Sequence, residues 1–398
     1  MNAVSQSPLL PVYAPPAERF VRGEGVWLYT DAGDKYLDFI AGIAVNALGH
    51  AHPALVAALT EQAGKLWHLS NMFRIEGQER LAAKYVASSF ADVVFFTNSG
   101  TEAIEGALKM ARKFHSAAGR PERIDVIGFS GAFHGRTYAA INAAGNPSYL
   151  DGFGPRLPGY VSVPFGDHDA LKAAIGPTTA AIIVEPVQGE GGCREIPASC
   201  LKGLRDLCDA HGILLIFDEV QCGAGRTGKM WAHEWAGITP DVMAVAKGVG
   251  GGFPMGAVLA TRDAASGMVR GAHGTTFGGN PLAMAVGEAC FDILNAPEFL
   301  VRVQDISNHF GQALEGLKDR HPGLVVEVRG KGLLRGLKLA VDPKPVQNAA
   351  RDRRLLVGVA GDNVLRMAPP LTIEPSHVGE AIGVLDAALS SVKAGQAA

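Results

Sequence analysis

The sequence LLIFDEVQCGAGRTGKMWAHEWAGITPDVMAVAKGVGGGFP, residues 214–254, contains two apolar segments that each end at a polar residue. The first, residues 212–217, ends at Asp218, and the second, residues 242–246, ends at Lys247. Short aliphatic segments are typical of strands buried on both faces. A carboxylate and an amine at two strand ends predict a site for pyridoxal phosphate, because its ring nitrogen needs a carboxylate and its aldehyde needs a lysine.

The same stretch contains glycine patterns that suggest other ligands. Residues 223–228 match GxGxxG, and residues 223–229 match the first seven places of a P-loop. The P-loop fails because Met230 stands where a metal-binding hydroxyl is needed. A dinucleotide site is disfavoured because five residues separate the strand from the first glycine. A plain surface loop is disfavoured because Lys247 follows buried apolar residues.

Composition limits the class of protein. The chain has 398 residues, of which 47% are hydrophobic and 19% charged, with a formal net charge of −3. We therefore expect a globular protein without a nucleic-acid partner. No apolar segment reaches the ~18 residues of a membrane helix, and the N-terminus lacks the features of a signal peptide. Five cysteines without a CxxC pair favour reduced thiols, a cytoplasmic location and no metal site.

Strand and helix patterns alternate through the middle of the chain. The apolar periodicity predicts helices over residues 102–114 and 199–211. It predicts strands at residues 93–96, 125–129, 180–184, 213–217 and 242–246. This alternation predicts an α/β fold with a mostly parallel central sheet and helices on both faces. Ligands of such sheets lie beyond the carboxyl ends of the strands, where Asp218 and Lys247 are expected to meet.

The two ends of the chain predict a smaller α+β domain. Residues 1–22 suggest an extended arm, residues 26–29 and 35–39 a hairpin, and residues 41–53 a glycine-rich loop. The C-terminal third predicts helices over 281–294, 300–318 and the last residues, with strands at 324–328, 333–339 and 364–367. We expect residues 1–50 and 291–398 to form the small domain and residues 51–290 the large one.

Two further turns suggest ligand contacts. Ser99, Gly100 and Thr101 form a strand-to-helix turn whose backbone N–H groups suit a phosphate, although an ordinary helix cap has the same composition. In the second turn, Phe133 and His134 could stack on a flat ring, or the phenylalanine could be part of the core. Arg136 suits a carboxylate, or it is a surface arginine.

These motifs together resemble one enzyme family. They are NSGTE (98–102), FHGR (133–136), EPVQGEGG (185–192), DEVQCGAGRTG (218–228), KGVGGGFPMGA (247–257) and TTFGGNP (275–281). In combination they resemble the class III, fold-type I pyridoxal-phosphate-dependent aminotransferases from about residue 20 to the end. The resemblance implies a fold-type I transferase that works as a homodimer with its active site at the subunit interface.

The resemblance also implies roles for residues around the cofactor. Lys247 would form the Schiff base and move the proton, while Asp218 would pair with the ring nitrogen and Gln221 with the ring hydroxyl. Phe133, beside His134, would stack on the ring. The phosphate would be bound by Ser99, Gly100, Thr101 and, from the other subunit, Thr276.

The remaining implied roles concern substrates. Thr275 would lie near the substrate, and Arg136 would bind a substrate carboxylate. Arg366 would bind the α-carboxylate of glutamate, and Glu190 would pair with Arg366 when that carboxylate is absent. An unpaired guanidinium in a closed site is costly, which gives this exchange a physical reason. In the alternative interpretation, Glu190 and Arg366 are unrelated surface groups.

The implied reaction moves the δ-amino group of N2-acetylornithine to 2-oxoglutarate, as in arginine biosynthesis. Succinylornithine, succinyldiaminopimelate, ornithine and GABA are alternative donors. Ornithine aminotransferases place a tyrosine where this chain has Ile43, which removes one contact suited to free ornithine. A pyridoxal-phosphate aminomutase and a non-catalytic relative are more distant alternatives, and an intact Lys247 disfavours the latter.

Overall fold

The computed structural model describes residues 8–396. The first seven residues of the predicted N-terminal arm lie outside this range. The strands, in chain order, are β1 (Phe20–Glu24), β2 (Trp27–Thr30), β3 (Lys35–Asp38), β4 (Val93–Thr97), β5 (Asp125–Phe129), β6 (Tyr160–Val163), β7 (Thr179–Val184), β8 (Val187–Gln188), β9 (Arg194–Glu195), β10 (Leu214–Asp218), β11 (Val242–Val245), β12 (Gly256–Ala260), β13 (Val325–Lys331), β14 (Leu334–Leu339), β15 (Leu355–Leu356), β16 (Gly358–Ala360) and β17 (Val364–Met367).

The helices cover both faces of the sheets. In chain order they are α1 (Ala41–Ala44), α2 (Pro53–Ala63), α3 (Glu76–Ala87), α4 (Gly100–Ala117), α5 (Tyr138–Ala144), α6 (Pro147–Leu150), α7 (His168–Ala174), α8 (Ala198–His211), α9 (Pro281–Leu294), α10 (Pro297–Arg320), α11 (Lys344–Asp352) and α12 (Pro375–Gln396). Two short 3₁₀ helices span Ala232–Trp235 and Lys247–Gly250. No helix in the described range is long and apolar enough to cross a membrane.

The central sheet has seven strands in the order β4-β12-β11-β10-β7-β5-β6. Strands β11, β10, β7, β5 and β6 pair in parallel, whereas β12 is antiparallel to both of its neighbours. The predicted α/β fold class with a mostly parallel sheet and helices on both faces is confirmed. The sequence analysis missed β12 and β6, and β12 separates the strand that ends near Lys247 from β4.

The fully buried strand β10 shows why the sheet needs helices on both faces. Leu214 and Ile216 pack in one apolar cluster with α4, while Leu215 and Phe217 pack in another with α8. Because successive strand residues point to opposite faces, a strand covered on both sides must be apolar throughout. The charge of Asp218 can therefore appear only at its end, which fixes the position of the site.

The N-terminal hairpin joins the C-terminal third of the chain. Leu355 of β15 pairs in parallel with Leu37 of β3, which closes the sheet β1-β2-β3-β15. A second sheet has the order β13-β14-β17-β16. The expectation of an extended arm up to residue 22 is wrong at its end, because residues 20–24 form β1 against β2. The division into large and small domains remains a proposal.

The predicted loop 41–53 begins with an unusual helical turn. All four residues of α1 have positive φ, including Ile43 at 66°. A β-branched residue at positive φ is strained, and such strain persists where the surrounding structure holds it in place. Val45 follows this turn and lines the cavity described below. The strained turn therefore shapes one wall of that cavity.

Candidate active site

A cavity of about 420 Å³ opens at the carboxyl ends of the parallel strands. The predicted site residues that line it are Ser99, Gly100, Thr101, Phe133, His134, Arg136, Glu190, Asp218, Gln221 and Lys247. Arg366 reaches this group through Glu190. Thr275 and Thr276 do not line the cavity and lie in a neighbouring depression. The structure thus brings together most predicted residues and separates the two threonines from them.

Asp218 ends β10 with its carboxylate buried in the cavity. Its Oδ1 accepts from the backbone N–H of Val220 at 3.0 Å, and its Oδ2 lies 2.7 Å from His134 Nδ1. Burial alone would lower the pKa of His134, but the hydrogen bond and charge of Asp218 raise that pKa overall. Asp218 therefore stays ionised and fixed in orientation, as a partner of a protonated ring nitrogen must be.

Glu185 is a buried carboxylate that the sequence analysis missed. Its two oxygens accept from the backbone N–H groups of Phe133, at 2.8 Å, and Gly189, at 3.3 Å. Burial, followed by the charge of Asp218, raises the pKa of Glu185 to about 7. Its position at the head of the EPVQGEGG motif, directly after the apolar segment 180–184, was the available signal. Glu185 connects the segment carrying Phe133 to the loop carrying Glu190.

Lys247 begins the 3₁₀ helix after β11 with a φ of 48°. Positive φ is uncommon outside glycine, so the turn holds the lysine in a strained backbone conformation. Burial lowers the pKa of its amine, while the charge of Glu190 opposes that shift. A lysine amine with a lowered pKa loses its proton more easily and becomes a nucleophile or a base.

The predicted phosphate position lies at the N-terminus of the 18-residue helix α4. Ser99 is the N-cap, and its hydroxyl accepts from the N–H of Glu102 at 3.3 Å. The Thr101 hydroxyl lies 3.2 Å from that of Thr137. A Cβ on Gly100 would lie 2.7 Å from Val220, so only glycine fits there without a shift. The first N–H groups of α4 have no acceptor within the helix and can donate to a dianion.

Arg366 and Glu190 form an ion pair beside Lys247. The Arg366 side chain is 6% exposed, and its Nη1 donates to Glu190 Oε1. Gln221 joins them, since its amide donates to Glu190 at 3.4 Å and accepts from Arg366 at 3.3 Å. Burial alone would raise the pKa of Glu190, but Arg366 lowers that pKa overall. Glu190 therefore meets Arg366 as an anion.

Arg136 lies on another wall of the cavity with a different kind of partner. Its Cζ is 3.9 Å from the centre of the Tyr149 ring and 5.5 Å from that of Phe133. The guanidinium forms neither a hydrogen bond nor an ion pair within the described part of the chain. The sequence analysis missed Tyr149, which follows Pro147 in an otherwise unremarked loop.

Thr275 and Thr276 lie on a surface outside the cavity. Asn71 Nδ2 donates to the backbone oxygens of Thr275, at 3.3 Å, and Gly278, at 3.1 Å, which joins residues 275–278 to the segment before α3. This surface is rich in exposed apolar side chains, namely Leu66, Trp67, Met72, Phe73 and Phe277. The predicted contact of Thr276 with phosphate is not made within this chain.

The donors around the cavity fit pyridoxal phosphate. The α4 N-terminus suits its phosphate, the Asp218 carboxylate suits its pyridinium and the Lys247 amine suits its aldehyde. The buried Nε2 of His134 has no partner among the described residues, as expected for a group beside a ligand. The roles of the individual residues remain predictions.

Comparison with known proteins agrees with this geometry. The family model Aminotransferase class-III matches residues 13–389. Acetylornithine aminotransferase 2 of Caulobacter vibrioides is 60% identical over 399 residues, covering 100% of this chain and 98% of its own.

Two solved structures have the same fold. N-acetylornithine aminotransferase of Stenotrophomonas maltophilia is similar with a TM-score of 0.84 at 37% identity, covering 96% of this chain and 98% of its own. Ornithine aminotransferase of Toxoplasma gondii gives 0.93 at 31% identity, covering 97% and 93%. With this match over nearly its whole length, the chain belongs to the class-III, pyridoxal-phosphate-dependent aminotransferases.

Proposed function

We propose that this enzyme transfers the δ-amino group of N2-acetyl-L-ornithine to 2-oxoglutarate, giving N-acetyl-L-glutamate 5-semialdehyde and L-glutamate. The observation that carries the proposal is the Arg366–Glu190 ion pair beside Lys247, in a cavity that also exposes Arg136. The Caulobacter relative, 60% identical along the whole chain, is named for the same substrate. On this proposal the enzyme acts in arginine biosynthesis.

Pyridoxal phosphate, when bound, supplies the aldehyde and the electron-accepting ring that transamination requires. Asp218, fixed by Val220 and His134, would keep the ring nitrogen protonated. Lys247 Nζ would hold the cofactor aldehyde at rest and then carry a proton at the reacting carbon of the substrate. Its lowered pKa suits both tasks, because an uncharged amine is needed for each.

The two donors approach the cofactor differently. N2-acetylornithine presents a terminal amine with no carboxylate beside it, whereas glutamate presents an amine adjacent to its α-carboxylate. Glu190 would neutralise Arg366 for the first donor and leave it for the second. Arg136 would bind the distal carboxylate in both half-reactions. One cavity could then accept both donors without leaving a buried charge unpaired.

Other ω-amino donors are the second candidates. Succinylornithine, succinyldiaminopimelate, ornithine and GABA share the terminal amine, and the Toxoplasma structure is named for ornithine. Ile43 is 44% exposed in the strained turn before Val45 and offers no hydroxyl to a free α-amine. An acylated donor, which lacks that charged amine, is therefore favoured.

Single-turnover measurements test the proposal. The cofactor-loaded enzyme is mixed with each donor in turn, and conversion of the cofactor from its aldehyde to its amine form is followed by absorbance. We expect the largest kcat/KM among the ω-amino donors for N2-acetylornithine. A higher value for ornithine, GABA or a succinylated donor would assign the enzyme to that substrate.

We also propose that the enzyme is a cytoplasmic homodimer with the apolar surface around Thr276 facing the partner's cavity. Trp67 and Phe277 are 65% and 58% exposed on that surface, more than expected for large apolar groups without a partner. The cavity would then receive the partner's Thr276 hydroxyl at the phosphate. All five cysteines are free, which suits a reducing compartment.

Mixed dimers test this arrangement. Chains carrying Lys247→Ala and chains carrying Thr276→Val are co-expressed with different affinity tags, and the heterodimer is purified. If Thr276 acts across the interface, one of the two sites has both native groups and near-normal phosphate affinity. If Thr276 acts within its own chain, every site has a defect, and no site shows native cofactor affinity together with turnover.

A further inference from the structure

The inference concerns how Arg136 is held, and it rests on the proposed function of Arg136 as a carboxylate-binding residue. An arginine that must bind a carboxylate in both half-reactions has to be oriented before the substrate arrives. A resident acidic partner would orient it, but the substrate would then have to displace that partner. The structure shows a different solution.

Two aromatic rings hold the guanidinium of Arg136. Tyr149 lies on α6 with its ring centre 3.9 Å from Cζ, and Phe133 lies 5.5 Å away. The Tyr149 ring is also perpendicular to the Phe133 ring, at a centroid distance of 5.8 Å and an interplanar angle of 89°. Tyr149 does not line the cavity, so it acts from behind Arg136.

A cation–π contact differs chemically from an ion pair. The ring face attracts the cation but accepts no N–H donor in the plane of the guanidinium, so the planar fork stays available for a carboxylate. Arg136 forms no hydrogen bond or ion pair within the described range that would compete. The aromatic support therefore orients the group and leaves its donors free.

We propose that Tyr149 is a positioning residue for substrate carboxylates, acting through Arg136. Its ring fixes the guanidinium at the cavity wall, and its edge-to-face contact keeps Phe133 in register with it. Because the ring face is the active part, the phenol hydroxyl is dispensable. Tyr149 thereby contributes to the choice of carboxylate-bearing donors over simple amines.

The test compares Tyr149→Leu with Tyr149→Phe in the two half-reactions. Cation–π contacts contribute ~0.5–2 kcal/mol, so Tyr149→Leu should raise KM for glutamate and N2-acetylornithine by about 2- to 30-fold with a small change in kcat. Tyr149→Phe should restore both values. A primary alkylamine donor without a carboxylate should react equally well in all three proteins. Phe153→Leu, in the same surface loop, is the matched control.

Several outcomes would overturn the proposal. They are equal KM values for Tyr149→Leu and the native enzyme, failure of Tyr149→Phe to restore KM, and an equal loss with the alkylamine. Loss of cofactor absorbance in Tyr149→Leu would assign Tyr149 to support of Phe133 instead. If leucine destabilises the chain, Tyr149→Gln removes the ring face while keeping a long side chain.

A double-mutant cycle makes the dependence on Arg136 explicit. In an Arg136→Leu background, Tyr149→Leu should raise KM no further, because the group it positions is gone. Additive effects would contradict positioning through Arg136. If the enzyme prefers a donor other than N2-acetylornithine, the proposed substrate fails while the glutamate half-reaction still tests Tyr149.

Discussion

The two arginines at the candidate site are held in opposite ways. Arg366 is 6% exposed and ion-paired with Glu190, with Gln221 bonded to both. Arg136 is exposed and contacts only aromatic faces, those of Tyr149 and Phe133. A paired arginine can be concealed or revealed, whereas an aromatic-held arginine is always available. This difference matches one carboxylate that only glutamate brings and another that both donors share.

The largest effect should come from removing the group on which both arginines depend. Lys247→Ala should abolish turnover in both half-reactions, because the covalent attachment and the proton carrier are lost together, and acid–base help alone is worth about 10²- to 10⁴-fold. Rates for each half-reaction, with cofactor content measured in parallel, check this. Multiple turnover at native rates would contradict the assignment of Lys247.

Arg366→Ala should separate the two half-reactions. Removing a buried charge partner costs ~2–5 kcal/mol, so kcat/KM for glutamate should fall by about 10²- to 10³-fold. The N2-acetylornithine half-reaction should change much less, since Arg366 is neutralised by Glu190 there. Both values come from single-turnover absorbance. Equal losses in the two would remove the distinction between the arginines.

Arg136→Leu should affect both half-reactions to a similar extent. A carboxylate bound by an exposed arginine is worth less than a buried pair, and a loss of about 10- to 100-fold in kcat/KM is expected for each donor. The ratio of the two losses is the informative quantity. A ratio far from one would show that Arg136 also distinguishes the donors.

Glu190→Gln should sharpen the contrast in the other direction. Removing the resident anion leaves Arg366 unpaired, so preference should move toward glutamate by about tenfold, or ~1.4 kcal/mol. Competition between glutamate and N2-acetylornithine for the loaded enzyme measures this preference. Glutamine retains the shape of the side chain, so the charge is what is tested. An unchanged preference would show that Glu190 does not screen Arg366.

The smallest effect is expected from a surface ion pair far from the site. Lys318 and Glu315 pair on α10, three residues apart and both solvent-accessible. Exposed pairs of this kind contribute little because water and salt screen them. Lys318→Gln should therefore leave the melting temperature and both half-reactions unchanged within error. A clear change would show that exposure alone does not explain why the buried pair matters.

Local patterns carried much of the fold and the site before the structure. The apolar segments ending at Asp218 and Lys247 become β10 and β11, and the NSGTE turn becomes the start of α4. These features depend on residues close together in the chain. The position of β12 between β11 and β4 does not, since pairing across the sheet is decided by distant segments.

The missed residues were those whose partners are remote in sequence. Glu185 is informative only because Phe133 and Gly189 donate to it, and Tyr149 only because Arg136 lies over its ring. A lone glutamate or tyrosine carries no such information. Likewise, Thr276 resembles a site residue in its motif, yet a single chain places it away from the cavity.

The parallel pairing of β15 with β3 has a consequence for synthesis. Tyr36 and Arg354, which join the two strands, are 318 residues apart. At ~5–20 residues per second on the ribosome, β3 emerges roughly 15 to 60 s before its neighbour exists. During that interval the outer edge of β3 offers unpaired N–H and C=O groups to any passing chain. The nascent N-terminal hairpin is thus the segment of this enzyme most in need of a chaperone.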